Sequence, residues 1–181
     1  MADDETKLIQ RAKRGDPAAF AEIYDQCQPA IYRYILYKVG SSATAEDLTS
    51  EVFVRLVEKI DHFTYRGRPL LAWLYTIARN LITDYHRRSQ KVPLLELDKQ
   101  IIVDVIDVEE TIEDKLARRR VTAAISRLTE DQRQVIFLRF IEGLDNETVA
   151  QALGKSTNAI KALQHRGLAS LRRILDQDDN I

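Results

Sequence analysis

Residues 127–175, RLTEDQRQVIFLRFIEGLDNETVAQALGKSTNAIKALQHRGLASLRRIL, decide the fold. Thr129 followed by Gln132 is a capping box ahead of the apolar run VIFLRFI, and Gly143 supplies the stop. A second short helix over NETVAQAL ends at Gly154, and Ser156 caps a third. Two helices joined by a short turn containing glycine make a helix-turn-helix, whose second helix enters the major groove of duplex DNA. From Ala152 to Leu175 the chain carries five Lys or Arg and no Asp or Glu, although its net charge over 181 residues is -1.

Projected at about 100° per residue, that last helix places Ile160, Leu163, Leu168, Leu171, Ile174 and Leu175 on one arc and Asn158, Ala162, His165 and Ala169 on the opposite one. Lys161 and Arg172 flank the outer arc on one side, and Lys155, Arg166 and Arg173 on the other. Cations on both sides suit the two phosphate strands that border a groove, while the N-terminal part of the helix, from Ser156 and Thr157 onward, reaches base edges. Gln164 falls nearer the buried arc. A merely solvated basic helix would not explain why every acid is missing.

The composition, 45% hydrophobic and 30% charged, allows one modest core or two small ones. Few β-branched runs alternate with the period of a strand, so the chain is predicted to be all-α. No stretch approaches the roughly 18 apolar residues of a membrane span, and the start MADDETK is acidic. The sequence therefore predicts no membrane insertion, no signal peptide and a cytoplasmic protein. The single cysteine, Cys27, falls at helical spacing from Phe20, Ile23 and Tyr24, which assigns it to packing.

The charges are sorted along the chain. Between Leu94 and Lys115 eight acids stand against Lys99 and Lys115, with no sustained helical period, and Pro93 opens the stretch. Residues 91–116 read as an acidic linker between two small helical domains, residues 1–90 and 117–177, with a short acidic tail over residues 178–181.

The first domain reads as four helices. Asp16 before Pro17 is an N-cap, Pro29 is expected to kink a helix that runs to Lys38, and residues 40–44 break the chain. Over residues 45–60, Leu48, Val52, Leu56 and Ile60 share one face, and Asp47, Glu51, Val54 and Glu58 the opposite one. Plain solvation and a docking surface both fit that acidic face. In the next segment, residues 61–88, Leu70, Leu74, Ile77, Leu81 and Tyr85 form the apolar stripe. Thr76, Arg79, Asn80, Thr83, His86 and Arg87 form an acid-free face rich in donors. Phe63, Tyr65, Arg66, Arg68 and Trp73 interleave aromatics with bases, as stacking on single-stranded nucleic acid requires. The other reading makes Phe63, Trp73 and Tyr75 simply core aromatics, and for Trp73, at the edge of the apolar stripe, core packing accounts equally well.

The motifs TAEDLTSEVFVRLVEKIDHF, WLYTIARNLITDYHRR and the helix-turn-helix stretch, in this order, resemble the extracytoplasmic-function group of bacterial sigma factors. The resemblance covers nearly the whole chain. It implies a two-domain initiation subunit that binds the β and β′ subunits of core RNA polymerase and contacts promoter DNA both as duplex and as melted single strand. Asp47 and Glu51 then match the family positions that dock on the β′ subunit, Ser50 stands where the family commonly has Gln, and Val54 completes the docking set from its place on the same face. Residues 64–69 match the loop that captures a flipped base of the -10 element, and Asn80 with Arg87 and Arg88 matches the helix that holds the melted strand. Helix 157–175 corresponds to the reader of the -35 element. IKALQHR departs from the commoner VKSRLHR but keeps Lys161, His165 and Arg166 in place. The acidic linker matches the family's connector, in which carboxylates stand in for nucleic-acid phosphates; a solvated spacer is the other reading. An anti-sigma factor is a further partner that the resemblance allows.

Two rival classes are weighed against this. A plain helix-turn-helix regulator explains Val121 to Leu175 but leaves Phe63 to Arg88 idle. An enzyme would need catalytic groups, yet the histidines are His62, His86 and His165 alone, and the sequence holds no His-Glu-x-x-His, cysteine pair, phosphate loop or nucleophile elbow. Neither catalytic residues nor metal ligands nor a cofactor are expected. Co-purification with core polymerase separates the first two readings.

Overall fold

The computed structural model describes residues 2–64, 68–88 and 112–178. Among these the elements are helical throughout: α1 (Ala2–Lys13), α2 (Pro17–Val39), α3 (Ser42–Lys59) with a following 3-10 turn (Ile60–His62), α4 (Leu70–Arg88), α5 (Ile112–Ser126), α6 (Glu130–Ile136) continued by a π turn (Phe137–Ile141), α7 (Asn146–Leu153) and α8 (Thr157–Asp178). They form two compact units, one built on α1 to α4 and the other on α5 to α8. No described helix is long and apolar enough to cross a membrane.

Local chemistry sets the boundaries in the first unit. Asp16 caps α2 by accepting from the Ala18 N–H at 3.0 Å, and the Arg11 guanidinium beside it holds its carboxyl below the usual carboxylate range. α2 runs through Pro29 to Val39, where Gly40 takes a left-handed φ of 73° and donates its N–H to the Leu36 carbonyl. Ser41 then caps the next helix at the Thr44 N–H, 3.3 Å away. α3 consequently starts at Ser42, earlier than the expected Ala45.

The buried faces differ from the projected ones in an instructive way. α3 buries Ala45, Thr49, Val52, Phe53 and Leu56, leaving Leu48 half-buried. α4 buries Leu70, Ala72, Leu74, Tyr75, Ala78 and Ile82, so the expected Ile77, Leu81 and Tyr85 stand only at the margin. The reason is that α4 packs against both α2 and α3. Ala72 and Ala78 admit the neighbouring helices closely, and Tyr75 meets Tyr34 edge-on at 5.2 Å. Cys27 is buried on α2; burial, with the Glu5 carboxylate adding to it, pushes its thiol up to about 12.

In the second unit the capping box forms as read: the Gln132 N–H donates to Thr129 Oγ1, and the Thr129 N–H to Gln132 Oε1. Ala124, Leu128, Ile136 and Ile174 make a core cluster flanked by Leu171 and Leu175. α8 crosses α6 at Gly167, where an added Cβ would lie 3.2 Å from Ile136 Cγ1. That close approach rotates the buried arc, so Leu168, expected inside, is 42% exposed. Of the stretch read as linker, residues 91–111 lie outside the described residues, and 112–116 form the first turn of α5. Tail residues 179–181 also lie outside.

Candidate nucleic-acid interface

α8 presents the surface that its sequence projects. Asn158, Ala162, His165 and Ala169 are all exposed, as are Lys161, Arg166, Arg172 and Arg173. Ser156 caps the helix by accepting from the Ala159 N–H at 3.2 Å, leaving Thr157 half-buried at its first position. Lys155 is committed to an ion pair with Asp131 at 3.0 Å, so binding a phosphate there means exchanging an exposed partner. Arg172 lies 3.9 Å from Asp176, a loose pair that an incoming phosphate displaces at small cost.

The support beneath α8 was only partly legible. Arg139, on the π turn, donates to Gln164 Oε1 at 3.2 Å and to the Leu144 carbonyl, which explains why Gln164 leans away from the outer arc. Asp145 caps α7, taking the Thr148 N–H at 2.7 Å while its own carbonyl accepts from Val149. The signal was available in the sequence, since Asp immediately before an amphipathic run is a cap.

The backbone N–H of Thr148 is the main cause of an Asp145 carboxyl held below its ordinary range, with Arg139 a smaller one. A lowered folded-state pKa means that the stabilisation is complete above the unfolded value of about 4 and fades as pH falls through the folded one. Asp145→Ala should therefore cost about 1 kcal/mol near neutrality. In urea titrations that difference should shrink under acid conditions; a pH-independent difference would mean that the carboxylate charge contributes nothing.

On the first unit, Asp47, Ser50 and Val54 are exposed along α3, Val54 by 49%. Glu51 is half-buried and bonded to Arg55 Nε at 2.8 Å; Ser50 donates to its own helix at Glu46 O. Phe63 is a correction. Only 5% exposed, it is no open stacking platform but the support of Trp73, whose ring lies 4.8 Å away and remains half-exposed. Tyr65 and Arg66 lie outside the described residues. Arg68 Nη2 reaches Thr76 Oγ1 at 3.4 Å.

The donor face of α4 also needs correcting. Thr76 and Thr83 donate their hydroxyl hydrogens to the carbonyls of Ala72 and Arg79, leaving lone pairs rather than protons for a ligand. Nor is the far end free of acid, because Arg87 pairs with Asp84 at 3.0 Å. The cations and amide that remain are Arg79, half-buried, with Asn80 and Arg88 exposed; the half-buried His86 packs its ring against Tyr85. A groove of about 350 Å³ between α3 and α4 is lined by Glu51, Arg55, Asp84, Tyr85 and Arg88 among others, bringing together residues assigned from sequence to two separate tasks.

Residues 23–92 match the family model for Sigma-70 region 2, and residues 118–171 that for Sigma-70, region 4. Over 173 residues the chain is 32% identical to the ECF RNA polymerase sigma factor SigD of Mycobacterium tuberculosis, covering 91% of this chain and 81% of that one. The chain belongs to the extracytoplasmic-function sigma factors. It is also 42% identical over 176 residues to the sigma factor BldN of Streptomyces coelicolor, covering 95% of this chain and 66% of BldN. Identity to SigX of Bacillus subtilis is 33%, over 87% of this chain and 84% of that one. Among solved structures, CnrH in complex with the cytosolic domain of CnrY has the same fold, with a TM-score of 0.70 at 24% identity, over 96% of this chain and 98% of that one.

This sigma factor thus recognises promoters and directs transcription initiation by RNA polymerase. The two family matches fall on α2 to α4 and on α5 to α8, the helices that carry the two candidate surfaces.

Proposed function

We propose how the residues divide that task. Asp47, Ser50, Glu51 and Val54 dock α3 on the β′ subunit of core polymerase. Trp73, Arg79, Asn80, His86, Arg87 and Arg88, with Tyr65, Arg66 and Arg68 of the preceding loop, hold the melted -10 strand. Lys161, Arg166, Arg172 and Arg173 grip phosphates at the -35 element, while Asn158 and His165 face base edges beside Ala162. Residues 1–90 serve docking and melting and residues 117–177 duplex reading, with an acidic connector between them. The observation that carries this reading is the exposed arc of α8, small and polar at its centre and cationic on both sides.

The protein works in the cytoplasm, where its polymerase and promoter partners are. An anti-sigma factor fits as a third partner; a solved neighbour of the same fold, the sigma factor RpoE, is held by the anti-sigma factor NepR from Bartonella quintana.

With a net charge of -1, the free chain has little sequence-independent attraction for duplex. It should bind promoter DNA poorly alone. Together with core polymerase it should bind tightly and make thymines of the -10 region reactive to permanganate. Equal, specific binding without polymerase would overturn the division of labour.

A further inference from the structure

α1 lies N-terminal to the Sigma-70 region 2 match, which begins at residue 23, and none of its side chains is among those given a role above. Leu8, Ile9 and Ala12 bury its apolar side. Two of its polar residues reach far along the chain instead of simply facing water. Glu5 Oε1 accepts from the backbone N–H of Leu70 at 2.8 Å. Leu70 is the first residue of α4, and its N–H is one of the group that a helix leaves without an intrahelical acceptor. A carboxylate there gains both the hydrogen bond and the favourable end of the helix dipole. At the other end of α1, Lys13 Nζ donates to the carbonyl of Asp61 at 3.2 Å, in the 3-10 turn that α1 also packs against.

These two anchors bracket one segment. Asp61 precedes, and Leu70 follows, the loop of residues 64–69. Glu5 and Lys13 are eight residues apart on a single helix, a spacing of about 12 Å that the helix itself keeps constant. We infer that α1 is a staple: Glu5 and Lys13 are positioning residues that fix Leu70 and Asp61, the points between which residues 64–69 run, and through them bear on engagement of the -10 element. This rests on the reading of that loop as the base-capturing element and adds to it a device that anchors the chain on either side of it. Without the staple, part of the binding free energy goes into ordering those two points, and affinity falls in proportion to the competent fraction.

The test uses full-length protein in holoenzyme with core polymerase on a promoter library varied at both elements. Glu5→Ala should lower open-complex formation, read by permanganate, by roughly tenfold, the factor that one lost charge-assisted hydrogen bond corresponds to. It should also flatten discrimination at the -10 element. Core assembly and -35 discrimination should not change. Glu5→Gln keeps an acceptor oxygen and should recover most of the loss. Lys13→Ala should act in the same direction but less, its ammonium being exposed. Arg66→Ala, in the loop itself, tests the underlying reading.

If Arg66→Ala alters -10 discrimination while Glu5→Ala and Lys13→Ala do not, the staple is wrong and the loop reading stands. If Arg66→Ala has no effect on the -10 element, the loop reading fails and takes the staple with it. A Glu5→Ala protein that loses core assembly and -35 discrimination as well would mark the contact as a folding contact only. Should that variant not fold at all, Lys13→Ala decides by the same readouts.

Discussion

Ala162→Glu should abolish -35-dependent promoter engagement by the holoenzyme. Ala162 is exposed at the centre of the outer arc of α8, with Asn158 and His165 one turn to either side. A glutamate there adds bulk where the helix should seat deepest and sets a carboxylate among DNA phosphates. Like charges brought together at an interface cost several kcal/mol, which corresponds to a loss of 100-fold or more. The fold should be unaffected, since Ala to Glu on a helix surface changes propensity by only a few tenths of a kcal/mol.

Single replacements around that residue should behave differently. Ala at Lys161, Arg166 or Arg173 should weaken all -35 variants alike and reduce the salt slope by roughly one. Ala at Asn158 or His165 should cost about 1 to 3 kcal/mol on the preferred element and little on mismatched ones. The measurement is holoenzyme binding to a promoter library at several salt concentrations. Undiminished -35 use by Ala162→Glu would place the reading face elsewhere on α8, as would cation changes that altered sequence preference.

Reversing Asp47 and Glu51 together to Lys should break assembly with core polymerase. Both lie on the face of α3 opposite its buried residues, with Val54 exposed between them and the following turn. Two reversals put four units of charge change against a basic docking surface, again a cost of several kcal/mol and a loss of 100-fold or more in a pull-down. Locally the effect is small. Glu51→Lys replaces an i,i+4 ion pair with Arg55 by a like-charge pair, about 0.5 kcal/mol of helix stability. A control reversal of Asp25 and Asp176, both exposed, produces the same net charge and should assemble normally. If the Asp47 and Glu51 double variant assembled as well as that control, the acidic face of α3 would be only solvated.

The sequence alone determined whatever depends on neighbours a few residues apart. The Thr129–Gln132 box, the Asp16 cap and the glycine stops at Gly40, Gly143 and Gly154 are local hydrogen bonding and local backbone geometry, and each stands where its residues put it. The outer arc of α8 was legible for the same reason, because a helix exposes what its period turns away from the apolar side. Charge sorting along the chain needed no fold at all.

Tertiary structure decided which side of each helix is inside, since that depends on how many helices press on it and how closely. α4 touches both α2 and α3, so Ala72, Ala78 and Tyr75 are buried in preference to the more apolar-looking Ile77 and Leu81. Gly167 against Ile136 turned Leu168 outward in the same way. Phe63 was drawn from the candidate surface into the core behind Trp73, because aromatic side chains suit a core and a stacking platform alike and only their burial separates the two. The contacts of Arg139 to Gln164, Lys13 to Asp61 and Glu5 to Leu70 join residues far apart in the chain and leave no sequence signal. A charged side chain shows in the sequence that it can bond, but its partner is chosen only when folding brings a distant backbone or amide group within 3 Å or so of it.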